Sequence, residues 1–383
     1  MENTKEKSRI LSVILGIVTF CLSLATVCFL GLFARWSLLN LGTPDNGTAA
    51  GESQLAVMDK YDMYITNQIS NALDGVFSVE KVYWLNDYDL IAPEPDQTRY
   101  GSSSDPASLQ KVLDEAAELL DIDRFVFHTD IQLLPGTEAT WYLDETIFAI
   151  TWQEAKDGSI YTLSEVRIAH PSQIRRFFAG GTYGYGKQFV TTEMATDVNA
   201  VVASSGDFYK FRSYGVVVNN GQVYRANGVV DTCFIDDQGN MILAKVGQLN
   251  NVEEAQAFVD EHNIRFSLAF GPILIQDGVR CEPANYIIGE INEDYPRAAL
   301  CQVDELHYLL AVVNGAGAYY NLPNIHRFAA RLEEMGVQTA YTLDGGQTGV
   351  IVMNDHMMNP VQYGSQRQIS DIFYFATAKP DGG

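Results

Sequence analysis

The sequence predicts an α+β protein. A mixed, largely antiparallel sheet with packed helices forms the C-terminal domain, a small α+β region precedes it, and one transmembrane helix lies at the N-terminus. Three observations lead there. From about residue 187, short runs rich in Val, Ile, Phe and Tyr are separated by Asn-Gly, Gly-Asn and Asp-Gly pairs, as in strands joined by tight turns. Segments of helical apolar period lie among those runs. Finally, residues 10–34 hold 25 residues without a charge. The expected organisation is a tail at 1–9, an anchor at 10–34, a linker at 35–56, an α+β region at 57–186 and a main domain at 187–380.

The apolar run ILSVILGIVTFCLSLATVCFLGLFA would span about 37 Å as a helix, more than a bilayer core of about 30 Å needs. Lys5, Lys7 and Arg9 precede it, which keeps the tail in the cytoplasm and sends the remainder across the membrane. The expected location is therefore the cell membrane, single-pass, with the C-terminal domain extracytoplasmic. A cleaved signal peptide is the alternative, although its apolar stretch would be shorter, about 7–15 residues. The following stretch, LGTPDNGTAAGES, reads as a stalk, and Asn46-Gly47-Thr48 matches a glycosylation sequon.

The chain carries a net charge of −23. The five charged residues before the apolar run sum to one positive unit, so the part beyond it is slightly more acidic still. No Lys/Arg stripe stands out, which argues against a nucleic-acid partner. An anionic ligand would have to be held by a few local arginines, with the general field screened beyond about 8 Å at physiological salt. Cys21 and Cys28 lie in the apolar run. Cys233, Cys281 and Cys301 remain, an odd set that reads as buried thiols with room for one bridge.

In the 57–186 region, SDPASLQKVLDEAAELLD is a helix: Asp105 caps it, Pro106 suits its first turn, and Leu109, Val112, Ala116 and Leu119–Leu120 form its stripe. TIFAITWQEAKDGSIYTLSEVRIA reads as two strands around Asp157-Gly158, and HPSQIRRFFAG as a short helix closed by glycine. Farther on, VNAVVASS, GVVVNNGQVYRA and DTCFIDDQGNMILAKV are strands with turns, and VEEAQAFVDEH is a helix. FSLAFGPILIQDGVRC breaks at Gly271-Pro272 and Asp277-Gly278. AALCQV and HYLLAVV flank the Asp304–Leu306 turn and should pair antiparallel. LPNIHRFAARLEEMG is a helix with Ile325, Phe328, Ala329, Leu332 and Met335 on one face, and VQTAYTL is the strand after it.

HYLLAVV, that helix and VQTAYTL form a strand–helix–strand unit, with Asp344 at the end of the second strand. In a parallel crossover the carboxyl ends of strands line the ligand crevice. Asp344-Gly345 or Gly345-Gly346 could equally be the two-residue corner of a hairpin, and a hairpin at a rim can also present a carboxylate.

Several motifs lack their context. Gly181–Lys187 has the outline of a phosphate loop, but Gln188 stands where Ser or Thr should bind magnesium, and no buried strand precedes it. The six histidines show no HExxH spacing, no CxxC pair suggests zinc, and no GxSxG elbow supports a serine hydrolase. No metal is expected from these motifs. Clustered carboxylates without histidines would suit calcium, though no loop has EF-hand spacing.

The ordered blocks ASSGDFY (203–209), GVVVNNGQVYR (215–225), FGPILIQDGV (270–279), PRAALCQVDELHYLLAVVNG (296–315), AYTLDGGQTG (340–349) and SQRQISDIFYFAT (365–377) resemble the phosphodiester glycosidase family. That family includes the enzyme that uncovers mannose-6-phosphate tags by removing a capping N-acetylglucosamine, and bacterial members linked with exopolysaccharide or the envelope. The resemblance covers about residues 190–378 and implies hydrolysis of a sugar-1-phosphodiester at the sugar–oxygen bond. A departing phosphate monoester, with a second pKa of about 6, needs little protonation as it leaves. One carboxylate can then activate water or attack the anomeric carbon, while guanidinium groups clamp the phosphate.

By this resemblance Asp344 is the first candidate for the reacting carboxylate and Asp207 the second. Gly345 and Gly346 allow close approach to the backbone, and Thr348 supplies a hydroxyl. Arg297 and Arg367 are the implied phosphate clamps, with Asp371 orienting Arg367. Asp207 could instead only shape a turn, and Arg297 and Asp371 could be a structural ion pair. The chain departs from the family where Ser205 replaces a frequent Asn, where Asn314-Gly315-Ala316 replaces Asp-Gly-Arg, and at Gln347-Thr348-Gly349. The expected function is anchored, extracytoplasmic cleavage of sugar-1-phosphodiesters in envelope or secreted glycans. A non-catalytic glycan-binding or envelope-assembly role on the same scaffold and a metal-dependent phosphodiesterase are the alternatives.

Overall fold

The computed structural model describes residues 91–283, 285–287 and 291–378. The expected tail, anchor and linker, the sequon, and residues 57–90 lie outside them. Among the described residues no helix is long and apolar enough to cross a membrane.

In chain order the elements are β1 (Tyr100–Ser103), α1 (Pro106–Leu120), β2 (Ala139–Leu143), β3 (Ile147–Lys156), β4 (Ser159–Ile168) and β5 (Ile174–Phe178). Then come α2 (Thr191–Asp197), β6 (Val202–Ser205), β7 (Val217–Asn219), β8 (Gln222–Arg225), β9 (Thr232–Asp236), β10 (Met241–Ala244) and α3 (Val252–Glu261). After these follow β11 (Ile264–Leu268), β12 (Ile273–Gln276), β13 (Val279–Arg280), β14 (Arg297–Asp304), β15 (His307–Asn314) and α4 (Ile325–Glu334). The last four are β16 (Thr339–Leu343), β17 (Ile351–Met353), β18 (His356–Met357) and β19 (Asp371–Phe375).

They build three sheets: nine strands in the order β1-β2-β3-β4-β15-β14-β16-β12-β13, five in the order β10-β9-β11-β7-β8, and five in the order β18-β17-β6-β19-β5. The α+β expectation holds, and every pairing between these strands is antiparallel. The region read as a separate α+β unit, 57–186, contributes β1–β4 to the large sheet, where β4 pairs with β15 along eight residues.

The large sheet is buried on both faces, so its strands read as continuous apolar runs rather than alternating ones. Phe148, Ile150 and Trp152 of β3, with Ala299, Cys301 and Val303 of β14, pack under α1 and α4. Ile147, Ala149, Ala298 and Leu300 face the opposite way, toward Ile351, Phe373 and Phe375 of the third sheet. The caps follow the sequence: Asp105, Asn251 and Asn324 each accept the backbone N–H three residues on.

One expectation is corrected. HPSQIRRFFAG is not a helix: after a short 3-10 turn, Ile174–Phe178 forms β5, paired with β19 and buried along almost its whole length. Burial on both faces overrides a local pattern that holds two arginines. The unit formed by β15, α4 and β16 is a parallel crossover that skips one strand, because β14 lies between the two strands and pairs antiparallel with both.

Candidate active-site recess

The register of the large sheet assembles the site. Ala298 of β14 is opposite Leu343 of β16, so Arg297 at the start of one strand and Asp344 just past the end of the other share one sheet end. Beyond Asp344 the chain does not fold back as a two-residue hairpin. It passes through Gly345–Gly346 and enters β17 in a different sheet. Gly345 lies against the strand start: a Cβ there would sit 2.2 Å from the Pro296 carbonyl oxygen. The Thr348 hydroxyl donates to the Gly345 carbonyl at 2.7 Å and closes the turn.

Asp344, Gly345, Gly346, Arg297, Arg367 and Arg212 line a recess of about 150 Å³, with Phe270, Tyr295 and Gln362 among its walls. Asp344 is the only carboxylate in its lining among the described residues. Burial raises the Asp344 pKa above its ordinary value, while the Thr348 side chain and the charges of Arg212 and Arg367 pull the other way. The Arg212 guanidinium lies 4.6 Å from the Phe270 ring centre, and its buried Nη1 has no hydrogen-bond partner among the described residues. Arg297 donates to the Glu293 carbonyl at 2.7 Å and lies over the Tyr295 ring. The Arg367 segment is fastened to the glycine turn by its own N–H to the Gln347 carbonyl at 3.1 Å, and by Gln347 Nε2 to the Ser365 carbonyl at 3.1 Å.

The sequence-predicted residues therefore separate into two groups. Asp344, Arg297, Arg367, Gly345 and Gly346 meet in the recess, and Thr348 fastens its floor. Asp207 and Asp371 do not line it. Both are wholly buried against Arg176, whose Nη2 donates to Asp207 at 2.9 Å and to Asp371 at 2.8 Å. Asp371 thus pairs with Arg176 rather than orienting Arg367, and it also accepts the N–H groups of Asp207 and Phe208. Asp207 accepts the N–H groups of Tyr209 and Ala269, which ties the Arg212 loop to the Phe270 wall. Burial pushes the Asp207 carboxyl up to about 6, with Arg176 opposing and Asp371 adding to the rise.

Sequence reasoning missed Arg212, which lines the recess, and Arg225, which holds its loop. Arg225 donates to the carbonyls of Tyr209, Arg212 and Tyr214 at 2.8, 2.6 and 2.5 Å, pinning the loop that carries Arg212. A signal was present: Arg212 is a lone guanidinium among the aromatics of FYKFRSYG, just before a block already singled out. The Asn314 departure also has a physical reason. Its Nδ2 donates to the carbonyls of Pro360 at 2.8 Å and Gly349 at 3.4 Å, where a second carboxylate oxygen would face acceptors. Cys233, Cys281 and Cys301 are free thiols, and among the described residues no three His, Cys, Asp or Glu side chains gather as calcium would require.

A recess lined by three guanidinium groups around one carboxylate, at the end of an antiparallel sheet, has the donors to hold an anion. Residues 198–376 match the family model for phosphodiester glycosidase. Among solved structures the chain is similar to the zebrafish N-acetylglucosamine-1-phosphodiester alpha-N-acetylglucosaminidase catalytic domain auto-inhibited by its pro-peptide. The identity is 16%, the TM-score 0.47, and the match covers 68% of this chain and 92% of that one. It is also similar to a hypothetical protein from Synechocystis at 13% identity and a TM-score of 0.43, over 64% of this chain and 65% of that one. No curated protein matches.

Proposed function

We propose that the protein hydrolyses the sugar C–O bond of sugar-1-phosphodiesters, with Asp344 as the reacting carboxylate and Arg212, Arg297 and Arg367 holding the phosphate. One observation carries this reading: a single half-buried carboxylate on a glycine turn shares its recess with three guanidinium groups, in a chain of net charge −23. Ordinary glycoside hydrolysis needs a carboxyl pair, one member to protonate the departing alkoxide. A phosphate monoester leaves as a stable anion, so one carboxylate suffices and the remaining requirement is cationic. The arginine set meets that requirement with bidentate donors. Asp207 acts as a positioning group through Ala269 and Tyr209, and Asp371 through Arg176.

The net negative charge offers an anionic substrate no attraction, and salt screens its repulsion at long range, so recognition rests on these local cations. The run 10–34 supports anchorage with the domain outside the cytoplasm, and resistance of the protein to carbonate extraction from membranes tests that. Turnover of a panel of sugar-1-phosphodiesters in ¹⁸O-labelled water tests the reaction. Label in the released sugar is the expected result. Label in the phosphate would mean P–O cleavage, and tight binding without release of either product would leave a glycan-binding role.

A further inference from the structure

The recess of about 150 Å³ is smaller than the roughly 300–1,000 Å³ of sites that enclose a whole small ligand. Whatever flanks the phosphodiester must then lie on the surrounding surface. The segments that line the recess share a feature. Each of the three segments that brings a guanidinium to the recess also leaves an aromatic ring facing solvent. Phe211, 64% exposed, adjoins Arg212; Tyr295, 38% exposed, precedes Arg297 by two residues; and Tyr363, 83% exposed, precedes Arg367 by four.

Folding does not call for this arrangement, because exposed rings forgo burial. Two of the segments are strained as well. Phe208, on which Phe211 stacks at 4.4 Å, has φ 58°, and Tyr363 itself has φ 61°. Bulky residues rarely adopt this left-handed backbone, and such strain gathers at functional sites. Gly364 N–H donates to the Val361 carbonyl and closes the turn that displays Tyr363.

We infer that Tyr295 at the recess wall, and Phe211 and Tyr363 beside it, are specificity-determining residues whose rings stack against sugar rings flanking the scissile phosphodiester. The inference rests on the reading of the recess given above. Charge inside and aromatic faces outside match a phosphate set between pyranose rings. Sugar rings present apolar C–H faces with hydroxyls at their edges, and the two tyrosines add a polar handle to a flat ring. An aliphatic aglycone would be better met by an aliphatic wall than by amides such as Gln347 and Gln362 beside the arginines.

The test compares three synthetic probes with the purified full-length protein: a hexose-1-phosphate methyl diester, the same diester bearing a trisaccharide, and the same bearing a decyl chain. The trisaccharide should raise kcat/KM over the methyl diester by about tenfold, the yield expected of one or two stacked rings. Phe211→Ala and Tyr363→Asn, the latter tolerant of the left-handed backbone, should each remove about fivefold of that gain and leave the methyl diester unchanged. Phe211→Trp should retain the gain. Equal losses on all probes, a gain confined to the decyl diester, or no gain from added sugars would overturn the inference. If no diester is cleaved, the reaction assigned to the recess fails. Calorimetric binding of the trisaccharide diester then decides the rings' role: weakening in both variants supports it, and unchanged affinity overturns it.

Discussion

Asp344 is the one carboxylate lining the recess among the described residues, and its environment works against its charge. Burial disfavours the carboxylate more than Arg212, Arg367 and Thr348 favour it, so its pKa stands above 3.8 in the folded protein. A raised carboxyl pKa adds stability that is complete below 3.8 and is lost as pH rises through the folded value. At pH 7 the ionised Asp344 therefore costs stability. Asp344→Asn, nearly identical in shape, should melt at a higher temperature than the wild type at pH 7, and the two should converge in acid. The same change should lower turnover about 10²- to 10⁴-fold. Wild-type kcat should rise with pH as Asp344 ionises, with a midpoint above 3.8. A variant that melts lower at pH 7 and keeps its turnover would remove Asp344 from the reacting role.

The end of β16 and the start of β14 form one working element, and Gly345 makes it possible. Its Cα packs so closely on Pro296 that an added Cβ would lie 2.2 Å from the carbonyl oxygen and 3.0 Å from the Arg297 nitrogen, both backbone atoms that cannot swing aside. Gly345→Ala should cost about 1–3 kcal/mol by overpacking and should lower activity by displacing Arg297 relative to Asp344. Gly346 has φ 68°, and its added Cβ would meet only the Gln362 side-chain oxygen at 3.0 Å. Gly346→Ala should cost about 1–2 kcal/mol, from backbone strain alone. Denaturant midpoints and kcat/KM for the two variants check this order, and a larger activity loss from Gly346→Ala would contradict it. Much of this scale was legible beforehand. Asp157-Gly158 turns β3 into β4, with both residues at positive φ, and Asp105, Pro106 and the stripe of α1 lie where local physics puts them. Recurrent short-range signals of that kind reach a few residues along the chain. The β5 strand was hidden because its two arginines become acceptable only once β19 and the carboxylates of other segments surround them. Arg212 carried a signal in its aromatic neighbours, but its place in the recess depends on Phe270 and Asp344, fifty-odd residues and more away in the sequence.

At the scale of the molecule, one buried cation joins the sheets on which the recess depends. Arg176 of β5 reaches Asp371 of β19, Asp207 after β6, and the carbonyl of Ser267 in β11, linking the third sheet to the second. Two carboxylates against one guanidinium leave a net negative charge in a dry interior, and burial drives the Asp207 carboxyl up to about 6. Its contribution to stability is therefore full below 3.8 and is lost as pH rises through about 6. Arg176→Met keeps much of the volume and removes the guanidinium that both carboxylates share. At pH 7 it should cost about 3–5 kcal/mol, the penalty for leaving buried charge uncompensated. Without the guanidinium the Asp207 carboxyl takes up a proton more readily, so the deficit should shrink as pH falls toward 4 and that carboxyl becomes neutral. A structural arginine that served only to fill space would instead show a deficit independent of pH. Denaturant midpoints of the wild type and Arg176→Met, measured from pH 4 to pH 8, separate the two. The loops that carry Arg212 and Phe270 hang on the same cluster through Tyr209 and Ala269, so kcat/KM of the folded variant should fall at pH 7 along with the midpoint. Activity that held steady while stability fell would sever the link between this buried cluster and the recess.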